Sequence, residues 1–342
     1  MAYAGPYNEI GVNGYIGNDW CHADPCDADA VLNPIFRGWA SGVAQYQPAA
    51  GVGIDWIDPA KALGPAIGNH TDIVSLGDNF PAGYITITFG DPEVPGHPDH
   101  IRNEPGYDFV IFENAFAATW NDPVLGFFQG QVFVELAYVE VSSNGTDFAR
   151  FAPVSLIEGP VQRYGTIDSN NVYNFAGKHP NGYGLCTGTG FDLEQLKHLS
   201  VVEDSTVDIN DITHIRMVDI PGTGDFADIA VEHIDPATGG AWQYYLNNHP
   251  IYDPWQTLDS GGLDLEAIGV LHAQQHKGDI NMDGSADIFD LAAFATSWQN
   301  SFGDTGYIAR CDMAEPINLK VNFSDFAIFA NSWKEKELWR TP

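Results

Sequence analysis

Along residues 1–271 the apolar positions come in short runs rich in β-branched and aromatic residues, and each run stops near Gly, Pro, Asn or Asp. YITITF (84–89), YDFVIFE (107–113), VFVELAYVEVSSNGTDFARF (132–151), ITHIRMVDI (212–220) and LDLEAIGVL (263–271) read as β-strands. Asn144-Gly145 predicts a tight hairpin, because this pair tolerates positive φ. One segment, DLEQLKHL (192–199), has helical spacing with Asp192 as its N-cap. The loops at 90–106, 114–131 and 158–190 are long and should carry whatever this region binds. Short strands with long loops predict a mainly β fold, a jelly-roll β-sandwich over residues 1–271.

The pattern then changes. DIFDLAAFATSW (287–298) aligns with NFSDFAIFANSW (322–333) at a constant offset. Leu291, Phe294, Ala295 and Trp298 in one copy, and Phe326, Phe329, Ala330 and Trp333 in the other, fall at helical spacing. Two short helices with matching apolar faces are expected to bury each other. The sequence therefore predicts a small α-helical domain of two loop–helix repeats over 277–337, joined to the first through the polar linker 272–276.

Oxygen donors crowd the start of that domain. Asp279, Asn281, Asp283, Asp287 and Asp290 occupy positions 1, 3, 5, 9 and 12 of a twelve-residue loop. Gly284 stands at the turn and Ser285 offers its carbonyl at position 7. This is the ligand order of a calcium loop, with Asp in place of Glu at position 12. One hard cation would cancel the repulsion among these acids. The second loop, CDMAEPINLKVNFSD (311–325), has two extra residues and no Gly at the turn. It offers Asp312, Glu315, Asn318, Asn322 and Asp325, and the residues leave open whether it takes an ion.

Charge narrows the functional classes. With 46 acids against 14 bases the net charge is −32, which repels phosphate backbones and anionic bilayers, so neither nucleic acid nor a membrane surface is an expected partner. A 44% hydrophobic and 13% aromatic content is too apolar for disorder and allows a sizeable core. No apolar run is long enough to span a membrane. MAYAGPYNEIG has neither the basic nor the apolar region of a signal peptide, so a mature exported chain with its leader removed is expected. Cys21 and Cys26, in CHADPC, are close enough in sequence to pair or to stay free. Cys186 and Cys311 receive no assignment.

The loop–helix repeats resemble the dockerin type I module, in the planctomycete-like variant whose helices end in an FA-x-(F/L)-A-x-x-W pattern. The resemblance covers about 60 residues. It implies an extracellular or cell-surface location, calcium-dependent folding and a cohesin-type protein partner. The ALGP, VSLG, YDFVIFENAF, VEVSSNGTDF, YDPW and DLEAIGV segments are similar to those of a secreted bacterial cell-surface family. The hairpin and closing strand also resemble galactose-binding-like jelly rolls. In such folds a structural calcium bridges an early loop and the last strand, and end loops bind sugar.

For the large region, Asp72, Glu113, Asp264 and Glu266 are candidate calcium ligands. Alternation places Asp264 and Glu266 on one face of the last strand, and Asp108 and Glu113 on opposite faces of theirs. Trp120, Tyr252, Asp253 and Trp255 are candidate sugar contacts, aromatic faces for the ring and a carboxylate for hydroxyls. His97 and His100, in HPDH, read as a surface-loop pair without function rather than as a metal pair, since no third ligand is near in sequence. No nucleophile elbow, phosphate loop, dinucleotide fingerprint or H-E-x-x-H motif is present, and no catalytic residue is assigned. The expectation is a non-catalytic, calcium-binding carbohydrate module with a dockerin-like tail. A secreted polysaccharide-acting enzyme and a structural or adhesion protein of the cell envelope are the alternatives.

Overall fold

The computed structural model describes residues 5–16, 30–90, 100–228, 231–233, 243–245, 249–257, 259–273, 277–281, 286–314 and 318–333. Cys21, Cys26, His97, Asp283, Ser285, Glu315, linker residues 274–276 and residues 334–337 lie outside them.

The described chain is mainly β, in two six-stranded antiparallel sheets. In the first, Ala149–Arg150, Ala137–Ser142, His214–Asp219, Tyr84–Thr88 and Gly42–Gln47 lie side by side, and Phe175–Ala176 also pairs with Ala137–Ser142. In the second, the order is Val12–Asn13, Thr187–Phe191, Phe109–Glu113, Asp264–Val270 and Gly38–Trp39, with Val74–Ser75 on the start of the last strand.

Strand alternation builds the core. Ile85, Ile87, Val139, Val141, Ile215 and Met217 of the first sheet meet Phe109, Ile111, Phe191, Leu265, Ile268 and Val270 of the second in one buried cluster. The intervening residues face outward and are covered too. Tyr138 and Leu136 pack with Phe175 and Ile251, while Val110 and Phe112 pack with Phe36 and Trp39. A sheet buried on both faces reads as a nearly continuous apolar run, as YDFVIFE does.

Three local expectations meet different outcomes. A hairpin is present at Asn144-Gly145, with Glu140 paired to Arg150 and Val141 to Ala149, but it is wider than a tight turn: residues 142–148 lie between the last pair, and of Asn144 and Gly145 only the glycine has positive φ, 73°. The helix expected at 192–199 is instead a 3-10 turn, Leu193–Leu196, followed by a four-residue helix, Ser200–Glu203. Leu193 and Leu196 are both buried, and a three-residue period aligns that pair as a 3.6-residue period does not. Asp108 and Glu113 do diverge. Asp108 holds Glu104 N, Leu193 N and His272 Nδ1 at 2.7–2.9 Å at one end of its strand, and Glu113 lies at the other.

Beyond residue 277 the helices Ile288–Ser297 and Phe323–Asn331 share a separate apolar cluster, in which Phe294 stacks on Phe329 with centroids 5.3 Å apart. The buried seam differs from the expected one. It runs Asp290, Phe294, Ser297 in one helix and Asp325, Phe329, Ser332 in the other. Ala295, Phe326, Ala330 and Trp333 are exposed. The two acids and Ser297 turn inward because they hold loop backbone, Ser297 Oγ by accepting Ile308 N at 2.8 Å, whereas Ser332 Oγ donates to Ile328 O of its own helix. Leu291, Phe294, Ala295, Trp298, Phe323 and Phe326 then line an open apolar groove of ≈ 260 Å³. Among the described residues no helix is long and apolar enough to cross a membrane.

Candidate metal centre and loop surface

Three inward-facing rows of the sandwich each continue into an acid at the same end of the core. Phe109 and Ile111 lead to Glu113, Ile215 and Met217 lead to Asp219, and Val141, Val139 and Ala137 lead back to Glu135. The pairings Ala137↔Asp219 and Leu265↔Glu113 bring the ends together and add Asp264 from the start of the last strand. Asp253, from the loop before that strand, joins them. All five carboxylates are at most 4% exposed.

The turn Gly261-Gly262 sits inside this group. Glu135 Oε1 accepts Gly262 N at 2.9 Å, and Asp219 Oδ1 accepts the next N–H, from Leu263, at 2.8 Å. Ser75 Oγ donates to Gly261 O at 2.9 Å. A Cβ at Gly261 would lie 3.0 Å from Asp78 Oδ1, and one at Gly262 would lie 2.7 Å from Asp219 Oδ1. Only glycines allow carboxylates so close to the chain. Thr257 Oγ1 stands 2.6 Å from Glu135 Oε1 and 3.1 Å from Asp78 Oδ2, yet it has one proton and donates to one of them. Asp253 Oδ2 accepts Leu136 N at 2.7 Å, Glu113 Oε2 accepts Ala115 N at 2.9 Å, and Asn114 Nδ2 donates to Asp264 Oδ2 at 3.1 Å. Asp219 Oδ2 is buried with no partner among the described residues.

The electrostatics follow from burial. Desolvation, then mutual repulsion, raises Glu113, Glu135 and Asp219 well above the ordinary carboxylate range. Asp253 is raised likewise, chiefly by desolvation, with Asp219 and Asp78 adding to it. Burial pushes Asp264 up to about 8 against the hydrogen bonds that favour its charge. The charges that act most strongly on these groups are other acids. Unpaired buried charge is costly, so such a group must carry protons or a cation.

Hard oxygen donors with two carboxylate oxygens, Asp219 Oδ2 and Asp264 Oδ1, unpartnered among the described residues fit a calcium-type ion. Among the described residues, no three Asp, Glu, His or Cys side chains stand at the spacing of a formed metal shell. A bound ion would draw Asp219, Asp264 and Glu135 closer together.

The expected large-domain ligands divide. Glu113 and Asp264 belong to this centre. Glu266 does not share Asp264's surroundings, because a β-bulge between Leu265 and Ala267 breaks the alternation at that residue. Its Oε1 accepts Ile67 N and Asn69 N at 2.8 and 3.2 Å, and its Oε2 accepts Asn181 Nδ2. Burial pushes Glu266 up to about 7. Asp72 is half-buried in the adjoining turn, its N–H on Asn69 O. Sequence reasoning missed Glu135, Asp219 and Asp78. The available signal was an acid that continues an apolar period-two row.

In the tail, Asp290 Oδ1 accepts Ile280 N and Asn281 N at 2.8 and 2.9 Å, and Oδ2 accepts Asp287 N at 2.9 Å. Asp325 repeats this on Met313 N, Ala314 N and Asn322 N at 2.7, 2.8 and 2.8 Å. The last acid of each loop thus closes it through N–H donors and completes a capping box with Asp287 or Asn322. Asp279 and Asp312 are both buried. Asp312 Oδ2 accepts Tyr307 OH at 3.0 Å, and its Oδ1 has no partner among the described residues. Asn318 lies in the exposed turn before Asn322, its Oδ1 on Lys320 N.

Of the expected sugar contacts, Trp120 is 59% exposed against Phe127, and Trp255 is 38% exposed with Nε1 on Asp78 O at 3.1 Å. Residues 161–166 join their loops: Val161 bridges Pro254, and Thr166 N donates to Gly126 O at 3.0 Å. Exposed Tyr164, which the sequence did not flag, lies in that segment. Tyr252 is half-buried against Gly224. Asp253 faces the buried acids, not the surface, because its loop runs under the turn that they hold. His100 departs from the surface position expected of it: it is buried, and its Nδ1 pairs with Asp211 Oδ1 at 2.7 Å. Cys186 and Cys311 are buried thiols outside any disulfide.

Comparison with protein-family models, curated proteins and solved structures returns no match.

Proposed function

We propose that the chain is an exported, calcium-binding surface protein. Its large domain is a non-catalytic, jelly-roll-type module for carbohydrate, and its tail is a dockerin-like module. The observation that carries the calcium reading is the group of five buried carboxylates around Gly261-Gly262, whose neighbouring charges are other acids and whose Asp219 Oδ2 has no partner among the described residues. The exposed Trp120 and Trp255 on joined loops support a sugar face. The apolar groove between the tail helices supports a protein partner of cohesin type.

The test is a calcium titration of the full chain, followed by thermal melting and by tryptophan fluorescence. Binding to the native state at a hundredfold excess over Kd adds about 2.7 kcal/mol, so melting should move up by several degrees. Identical melting curves in calcium and in chelator would sink the calcium reading. A glycan array run in both conditions tests the carbohydrate reading separately.

A further inference from the structure

The chain has 14 lysines and arginines against 46 acids. Four of those bases, Arg37, Arg102, Lys277 and Arg310, line one cleft of ≈ 870 Å³ between the large domain and the tail. Glu104 and Tyr107 complete its polar wall. Arg37 and Arg310 each engage another group, so Arg102 and Lys277 supply the open cationic positions. The Arg102 guanidinium is exposed, and no hydrogen bond or ion pair among the described residues engages it. Lys277 is exposed, and its Nζ reaches Met313 O at 3.4 Å. The histidine on the cleft floor, His272, is paired with Asp108 at 2.8 Å and adds no unpaired anion.

We propose that this cleft binds a short acidic saccharide through its carboxylate or sulfate groups. An arginine fork matches either anion with two parallel hydrogen bonds. A concave wall focuses the local positive field, while the surrounding acids repel long polyanions. The volume suits an oligosaccharide of a few rings. Glu104 would accept from sugar hydroxyls, and its charge opposes the anionic group of a saccharide and of a peptide alike. For the class of ligand the proposal rests on the saccharide reading above. For the place it rests on the cleft alone.

The experiment is calorimetric binding to the full chain at fixed free calcium and at two salt concentrations. The probes are an oligogalacturonate, its neutral methyl ester, a sulfated oligosaccharide and polyglutamate. The expected result is binding of an acidic saccharide that weakens with salt, no binding of the ester in the cleft, and a loss of about tenfold in Arg102→Ala. Preference between oligogalacturonate and the sulfated probe identifies the anionic group. Should Arg102→Ala melt early, Lys277→Glu on the exposed rim provides the same comparison. Tighter binding of polyglutamate than of either saccharide overturns the ligand class. Acidic binding that is absent, or unchanged in both variants, overturns the site. Binding of neutral oligosaccharides that persists in Arg102→Ala reports on the Trp120–Trp255 surface separately, so either reading can fail without the other.

Discussion

Glu135 and Asp219 hold consecutive N–H groups of one turn, Gly262 at 2.9 Å and Leu263 at 2.8 Å. Asp219 ends one strand of the first sheet, Glu135 lies two residues before its neighbour Ala137–Ser142, and the turn opens the last strand of the second. The two sheets are therefore tied at this end by charge-bearing groups, where elsewhere apolar contact joins them.

That tie makes Gly262 intolerant of a side chain. Its φ is 80°, and a Cβ would lie 2.6 Å from Gly77 C. Gly262→Ala should cost roughly 3 kcal/mol or more, combining left-handed strain with displacement of Asp219. Chemical denaturation in calcium measures it. A loss under ~1 kcal/mol would mean that the turn is looser than described.

Asp219→Asn separates the two ways of balancing the buried charge. Oδ1 can still accept Leu263 N, and the new NH2 takes the place of the unpartnered Oδ2. In chelator the variant should melt no lower than the parent, since it removes a buried charge. It should lose most of the calcium-induced rise. A full calcium response in the variant would exclude Asp219 as a ligand.

Acid titration should run opposite to ordinary acid denaturation. Glu266 and Asp264 are raised, by burial first, to about 7 and about 8. The folded state therefore holds protons that the unfolded state has released, and stability falls as pH rises from about 4 toward those values. For Glu266 alone the effect is on the order of 3 kcal/mol. In chelator, melting temperature should decline from pH 5 to pH 8, and calcium should recover at the alkaline end only the part due to Asp264, since Glu266 lies outside the candidate centre. A rising curve in chelator would contradict the assignment.

Asp290→Ala and Asp325→Ala should each loosen the tail while leaving the sandwich folded. Each removes a buried carboxylate that satisfies three N–H groups, a loss of at least ~3 kcal/mol to a small core. Loss of helical signal and of the near-UV signal from Trp298, with the main β transition unchanged, is the expected outcome. A single cooperative transition shifted as a whole would show that the two parts fold together.

The strands and the hairpin were legible because local patterning dictates them: Ile85 and Ile87, Val139 and Val141, and Ile215 and Met217 alternate as a pleated strand requires. The repeat in the tail was legible as identity. What escaped depends on contacts distant in sequence. The bulge at Glu266 is a register event between strands, and no property of DLEAIGV announces it. The inward turn of Asp290 and Ser297 follows from loop N–H groups that needed acceptors, against the apolar periodicity of LAAFATSW. Asp253 was misplaced for the same reason. Its partner, Leu136 N, is over a hundred residues away. The acids at the sandwich end were half visible, since Glu113 and Asp264 sit at strand ends, whereas Asp219 and Glu135 looked like ordinary strand residues.

The strand Asp264–Val270 lies between Phe109–Glu113 and Gly38–Trp39, and it is the last strand of the sandwich to be made. Until it arrives, the second sheet is missing a central member, and the first-made strands have no partner across the gap. A growing chain can therefore build local turns and hairpins but cannot complete its sandwich before almost the whole domain has been synthesised.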